Sequence, residues 1–212
     1  KRAELMLSQR LEDLAFINTV TEAVNHSETI ETFTELLAVE TGRIFGTQAV
    51  SLYLLDPDQK SLILQHFTMG LEYIKKLEEL TGRPLPQIEL PLEEVDHFRK
   101  ALNSEDGILV TGFASVCNWL MNFSNTRFLS RKARPLYRRI IPAAARMLSI
   151  NSIISIPLNS GEDVLGLIEF TTEGVFDENT LRRLKNVRHQ LAELILRKRA
   201  EQALRESNEK YR

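Results

Sequence analysis

A single cysteine, Cys117, stands in a chain of 212 residues, so no disulfide can close within it, and a cysteine-rich zinc or iron–sulfur site is excluded. No apolar run approaches the roughly 18 residues that a membrane helix needs, and the charged opening KRAEL does not read as a secretory signal. A formal net charge of −2 gives no whole-chain basicity to suggest nucleic acid as a partner. There is no Gly-rich phosphate loop, no HExxH pair and no G-x-S-x-G elbow, so phosphate-loop, zinc-protease and α/β-hydrolase chemistries have no foothold. What is present is ordinary for a globular protein, with 43% hydrophobic and 26% charged residues. The chain lacks an initiator Met and stops within a helical pattern at Lys210-Tyr211-Arg212, so it reads as a segment of a longer protein.

Hydrophobic periodicity places the elements. Leu7, Leu11, Leu14, Asn18 and Thr21 step by 4, 3, 4, 3, which is a heptad seam. Ile17, Val20 and Val24 form a second stripe, so this first helix has one face for a partner and one for its own domain. Ser27 is expected to cap a second helix carrying Ile30, Phe33, Leu36, Leu37 and Ile44, with Gly42 and Gly46 near its end. Residues 49–55 and 61–67 read as a β-hairpin, 71–80 as helix, 87–92 as a short strand, 93–102 as a helical piece and 107–111 as another strand. From 113 to 149 the pattern predicts a loop and then a helix from about Pro135 to Leu148. SIISIPL (152–158) and DVLGLIEF (163–170) form the clearest hairpin, and Gly166 within it predicts a close approach by a neighbouring element. Asp177 caps a long last helix in which Leu184, Val187, Leu191 and Leu194 repeat the 3, 4, 3 seam. Hairpins interleaved with helices predict an α+β fold, a central antiparallel sheet with helices on both faces and long terminal helices, the first, second and last of them sharing one face.

The block IISIPLNSGEDVLGLIEFTTEGVFDENTLRRLKNVRHQLAELI (153–195) resembles the C-terminal half of a GAF domain, and TVTEAVNHSETIETFTELLAVETGRIFGTQAVSLYLLDPDQKSLIL resembles its N-terminal half. GLEYIKKLEELTGRPLP is similar to a subgroup found in sensor kinases, and RAEQALRESNEKYR (199–212) to the helix that leads into a PAS domain. The resemblance implies a PAS-related sheet with a ligand pocket between the sheet and the helices and loops after strands two to four. It divides the chain into an N-terminal signalling helix (1–25), a sensor core (26–180) and a C-terminal helix and linker (181–212). It further implies a non-catalytic, cytoplasmic regulatory domain of a signalling protein, such as a two-component histidine kinase. Such a domain dimerises through its terminal helices, here Leu7, Leu11, Leu14, Asn18, Leu184, Val187, Leu191 and Leu194, and contacts neither nucleic acid nor membrane. The rival reading is a structural spacer whose pocket is filled by its own side chains.

The residues narrow the ligand chemistry. Bilin-binding members attach the chromophore to a Cys commonly followed by His. Here Asn118 follows Cys117, and a buried structural thiol is the plainer reading, as against bilin attachment or haem ligation. One Cys does not suffice for the disulfide exchange of the family's methionine sulfoxide reductases. His189 is followed by Gln190 with no Pro downstream, unlike a kinase phosphoacceptor. His66 and His97 are candidates to face the pocket, each without a spaced partner that would make a metal site. No metal and no cofactor is expected, only an unidentified small molecule. From Gly107 to Gly161 there is no Asp or Glu, while Arg127, Arg131, Lys132, Arg134, Arg138, Arg139 and Arg146 all fall there. This basic stretch predicts an anionic ligand at Arg134, Arg138 and Arg139 beside Trp119 and His97, with one of Arg138 and Arg139 turned inward. The plainer alternative is a solvated basic surface.

Overall fold

The computed structural model describes residues 2–26, 29–68, 75, 78, 79, 89–122, 133–161 and 163–210. Its elements run α1 (Arg2–His26), α2 (Ile30–Phe45), β1 (Ala49–Leu55), β2 (Ser61–Phe67), β3 (Glu89–Pro91), α3 (Asp96–Leu102), β4 (Ile108–Thr111), α4 (Phe113–Met121), α5 (Ala133–Met147), β5 (Ser152–Ser160), β6 (Asp163–Thr172) and α6 (Glu178–Lys210). The six strands form one antiparallel sheet in the order β3-β2-β1-β6-β5-β4. None of the described helices is long and apolar enough to cross a membrane.

Local chemistry sets the element ends. Asp56 Oδ1 accepts hydrogen bonds from the amides of Lys60 (2.7 Å) and Ser61 (3.0 Å), which closes the β1–β2 turn. At the start of α6, Asp177 Oδ1 accepts from the Thr180 amide at 2.7 Å. The cap of α2 is Thr29, whose hydroxyl accepts from the Thr32 amide at 3.2 Å, and not Ser27, which lies outside the described residues. Gly46, in the left-handed region at φ 69°, ends α2 with its amide on the Gly42 carbonyl. The close approach expected at Gly166 is present: a Cβ there would stand 2.1 Å from the Tyr53 carbonyl oxygen, so β1 and β6 pair without room for a side chain.

One difference from the expected pattern falls between 113 and 149. Residues 113–121 form α4 rather than a loop, because Val116 and Trp119 give that short segment a buried helical face. Helix α5 runs on through Pro142, as the expected span from Pro135 to Leu148 requires. The helix expected over 71–80 falls mostly outside the described residues, as do Arg127, Arg131 and Lys132.

Strict alternation along β1, β5 and β6 gives the sheet two faces. Val50, Leu52, Leu54, Ile154, Ile156, Leu158, Ile168 and Phe170 point to the first face and pack with Phe16 and Val20 of α1, Phe33 and Leu37 of α2, and Leu184, Val187, Leu191, Ala192 and Ile195 of α6. These three helices share one face, as the sequence predicts. The second face carries Tyr53, Ile153 and Leu167, covered by α3, α4 and α5.

The α6 seam therefore has a different role from the expected one. Leu184, Val187 and Leu191 are buried in the domain's own core, with Leu194 packed at its edge, so they are not open to a partner helix. The reason is geometric: a 3, 4, 3 spacing fits a sheet as readily as a second helix, and the sheet is adjacent in the chain. The α1 seam is the opposite case. Leu7, Leu11, Leu14 and Asn18 all face outward, while Phe16 and Val20 turn to the core. Arg183 fastens the two terminal helices together. Its guanidinium pairs with Glu12 (3.0 Å) and Asp13 (2.8 Å) of α1 and stacks over Phe45 at 4.9 Å.

Candidate functional site

The second face has a polar centre. On β6 the apolar alternation breaks at Glu169, which lies opposite Ser51 of β1 and Ser155 of β5 in the strand register. Ser51, Glu169 and Ser155 thus form one cross-strand row over the three central strands, and all three are buried, Glu169 to 5% exposure. One register step along the row, Tyr53 flanks it on β1.

Three short helices roof this row. Helix α4 brings Trp119, whose Nε1 donates to Glu169 Oε1 at 2.9 Å. Helix α3 brings His97 and Phe98. The His97 ring meets Trp119 edge-on, with centroids 4.8 Å apart, and Phe98 lies 4.8 Å from Tyr53. Helix α5 contributes Tyr137 and Ile141 to the same cluster. His97, Trp119 and Glu169 come from three elements far apart in sequence and form one contact chain, His97 on Trp119 and Trp119 on Glu169.

Burial governs the titration of these groups. It pushes the Glu169 carboxyl up to about 7, against the opposing pull of the Trp119 hydrogen bond and the neighbouring Ser155 hydroxyl. The Ser155 hydroxyl is itself fully buried and makes no full hydrogen bond among the described residues. Burial lowers His97 to about 4, only partly offset by the charge of Asp96, so its imidazole is neutral at pH 7. Tyr53 is raised well above the ordinary phenol range by burial, then by the Glu169 charge and by Tyr137. Tyr137 is raised by burial alone.

Of the residues predicted from sequence, Trp119 and His97 are brought together here. Arg138 and Arg139 are exposed; the inward residues of their helix are Tyr137 and Ile141, one helical turn apart. Neither arginine turns inward as expected, and Arg134 is half-buried at the start of α5. Arg146 stacks over Phe113 at 5.0 Å. Cys117 is buried, and burial raises its thiol against the nearby Arg146 charge. His66 sits 4.0 Å from Glu35 of α2, not among the second-face residues. Exposed His189 meets the Asn159 carbonyl through Nδ1 at 3.0 Å. Among the described residues no group of His, Cys, Asp and Glu is arranged to hold a metal ion. Glu169 and its two serines were not singled out from sequence, although an acid between Ile168 and Phe170, in the best-defined strand, is a visible break in an apolar pattern.

The roof is tied to the last helix. Helix α3 leads through residues 103–107 to β4, and this connection is held by α6: Lys185 pairs with Asp106, and Arg188 donates to the Glu105 carbonyl.

Comparison with known proteins agrees with this architecture. The GAF domain of a phosphoenolpyruvate-protein phosphotransferase from Coxiella burnetii superimposes with a TM-score of 0.58 at 16% identity, covering 91% of this chain and 98% of that one. The phycoerythrobilin-bound GAF domain of a cyanobacterial phytochrome gives 0.53 at 15%, covering 90% and 97%. A GAF domain/HD domain protein from Geobacter sulfurreducens gives 0.51 at 11%, covering 87% and 96%. No curated protein matches the sequence. A family model, the GAF domain, matches residues 29–195, which hold every strand and helices α2 to α5. With the fold and most of its length accounted for in this way, the chain belongs to the GAF family.

Proposed function

We propose that this chain is the ligand-receiving module of a modular signalling protein, with the second sheet face as its receiving site and the terminal helices as its output. GAF domains are in general non-catalytic regulatory domains. One observation carries the proposal: a buried polar row, Ser51–Glu169–Ser155, lies at the centre of a sheet and beneath an aromatic roof, with hydrogen-bonding capacity beyond the single Trp119 contact. A carboxylate offers about four acceptor positions, and buried polar groups are rarely left under-satisfied without a bound water or ligand. A phycoerythrobilin-bound relative supports a small molecule as the occupant of this fold. Trp119 and His97 are the proposed contact residues.

The proposed assembly is a parallel homodimer in which Leu7, Leu11, Leu14 and Asn18 of α1 meet a second copy. The sensor core is proposed over 26–180, with 181–212 leading into a PAS-like or other downstream module of a cytoplasmic histidine kinase. A second reading, a spacer without a ligand, draws on the dense packing of Tyr53, Phe98, Trp119 and Tyr137, all buried. Native mass spectrometry of the purified chain separates the two: a retained small molecule on a dimer supports the module, and a bare monomer opposes it.

A further inference from the structure

We propose that the occupant of this site is a small organic cation, an ammonium or guanidinium group on an aromatic or apolar body, with Glu169 as its counter-ion. This rests on the ligand-receiving reading above and names the chemistry that the site selects.

Charge is the first argument. Glu169 is the one acidic side chain among the buried residues that are described, and it stands at the centre of the face. The buried basic side chains among the described residues, Arg183 and Lys198, both belong to α6. Arg183 is directed to α1 and Phe45, and Lys198 pairs with Glu201. Arg138, Arg139 and Arg146 are exposed. A carboxylate or phosphate entering here would meet a buried carboxyl, and among the described residues no fully buried base lies beside it, Arg134 of α5 being only half-buried, so the encounter is repulsive at low dielectric. A cation meets the reverse situation.

Hydrogen bonding is the second. Glu169 accepts from Trp119 and is drawn on by the neighbouring Ser155 hydroxyl, which together fill at most two of the roughly four acceptor positions of a buried carboxylate. An ammonium brings three N–H donors and a guanidinium a planar fork of them, and Ser155 adds a hydroxyl beside them. The aromatic neighbours are the third. Trp119, Tyr53 and Tyr137 belong to the same buried cluster, and an aromatic ring attracts a cation in a desolvated site. His97, held neutral, adds no competing positive charge.

The test uses probes matched in size and opposite in charge. Benzamidine and phenethylamine are compared with benzoate and 3-phenylpropionate by thermal shift on the full chain at pH 8, alongside Glu169→Gln. The expected result is a rise in Tm with the two cations alone, with Kd weakened at least about tenfold in Glu169→Gln. Should that variant fail to fold, the parent serves through pH. Benzamidine affinity should rise about tenfold from pH 6 to pH 8 as Glu169 ionises around 7. Over that range His97 of α3, Cys117 of α4, Tyr53 of β1 and Tyr137 of α5 stay neutral, while Asp96 of α3 and Arg134 and Arg146 of α5 keep their charge. Stabilisation by benzoate or 3-phenylpropionate, or an equal cation response in Glu169→Gln, overturns the cation class and leaves the ligand-receiving reading standing. No response to either cation also overturns it. If, in addition, Ser155→Leu raises Tm and native mass spectra show no bound molecule, the receiving site itself is refuted.

Discussion

The two faces of the sheet are made by the same three strands, yet they obey different rules. The face under α1, α2 and α6 is apolar throughout, from Val50 to Phe170, and its partners are helices of 25, 16 and 33 residues. The face under α3, α4 and α5 has a carboxyl at its centre, and its partners are helices of 7, 9 and 15 residues. Burial of apolar area holds the first together and sets a single packing solution. The second gives up part of that gain to keep Glu169 dry, a composition that proteins tolerate where specific recognition is needed.

The largest effect is expected on the apolar face. Phe170→Ala removes a fully buried ring from the central strand, and the loss should be about 3–5 kcal/mol, read by urea unfolding and nearly independent of pH.

The polar face should respond to pH instead, with two opposed signs. The Glu169 carboxyl rises from 4.5 to about 7 on folding, so the folded state holds its proton more tightly than the unfolded state does. Stability from this group is present below 4.5 and is lost as pH rises through 7, about 3 kcal/mol in all. The His97 imidazole falls from 6.5 to about 4, so the unfolded state takes the proton first. Its stability is present above 6.5 and is lost as pH falls through 4, again about 3 kcal/mol. Between 4.5 and 6.5 the slopes cancel, and the parent should look insensitive to pH. Glu169→Gln should unmask a rise in stability from pH 4 to 6.5 and gain about 3 kcal/mol over the parent at pH 8. His97→Phe should unmask a fall from pH 4.5 to 7. Denaturation curves at half-unit intervals check both, and a sloping parent profile with flat variants would refute the pairing.

A smaller loss is expected where the terminal helices meet. Arg183→Ala leaves Asp13 beside an apolar edge and removes the stacking on Phe45, at a cost of about 2 kcal/mol in urea unfolding. The smallest lies at the outer stripe. Leu11 is 59% exposed, so Leu11→Ser should change the stability of the monomer by no more than about 0.5 kcal/mol. Sedimentation velocity should nonetheless show it shifting the proposed dimer towards monomer.

How much of this was legible in the sequence follows from what periodicity encodes. Both hairpins, the antiparallel class and the shared face of the terminal helices were readable, because alternation and heptad spacing report directly on burial. The boundaries of β1 and β2 fall where the turn at Asp56 to Lys60 implied. Which surface a stripe meets was not readable: Leu184, Val187 and Leu191 have the same spacing as Leu7, Leu11 and Leu14, and one set is core while the other is exposed. Which residues of α5 turn inward was not readable for a related reason. Long arginine side chains on an amphipathic helix default to solvent, and Tyr137 took the inward position. Glu169 was visible but needed its cross-strand partners, 118 and 14 residues away at Ser51 and Ser155, to gain meaning.

Helix α6 is 33 residues long, about 50 Å at 1.5 Å per residue, and Ile195 is the last residue it gives to the apolar core, with Lys198 buried one turn further on. The remaining 15 residues, 196–210, make a lever of about 22 Å whose fulcrum lies within the domain. The grips on its N-terminal part, Lys185 and Arg188 on the α3–β4 connection and Arg183 on α1, all lie before Ile195. A tilt of about 10° at Ile195 moves Lys210 by about 4 Å, roughly three-quarters of the rise of one helical turn.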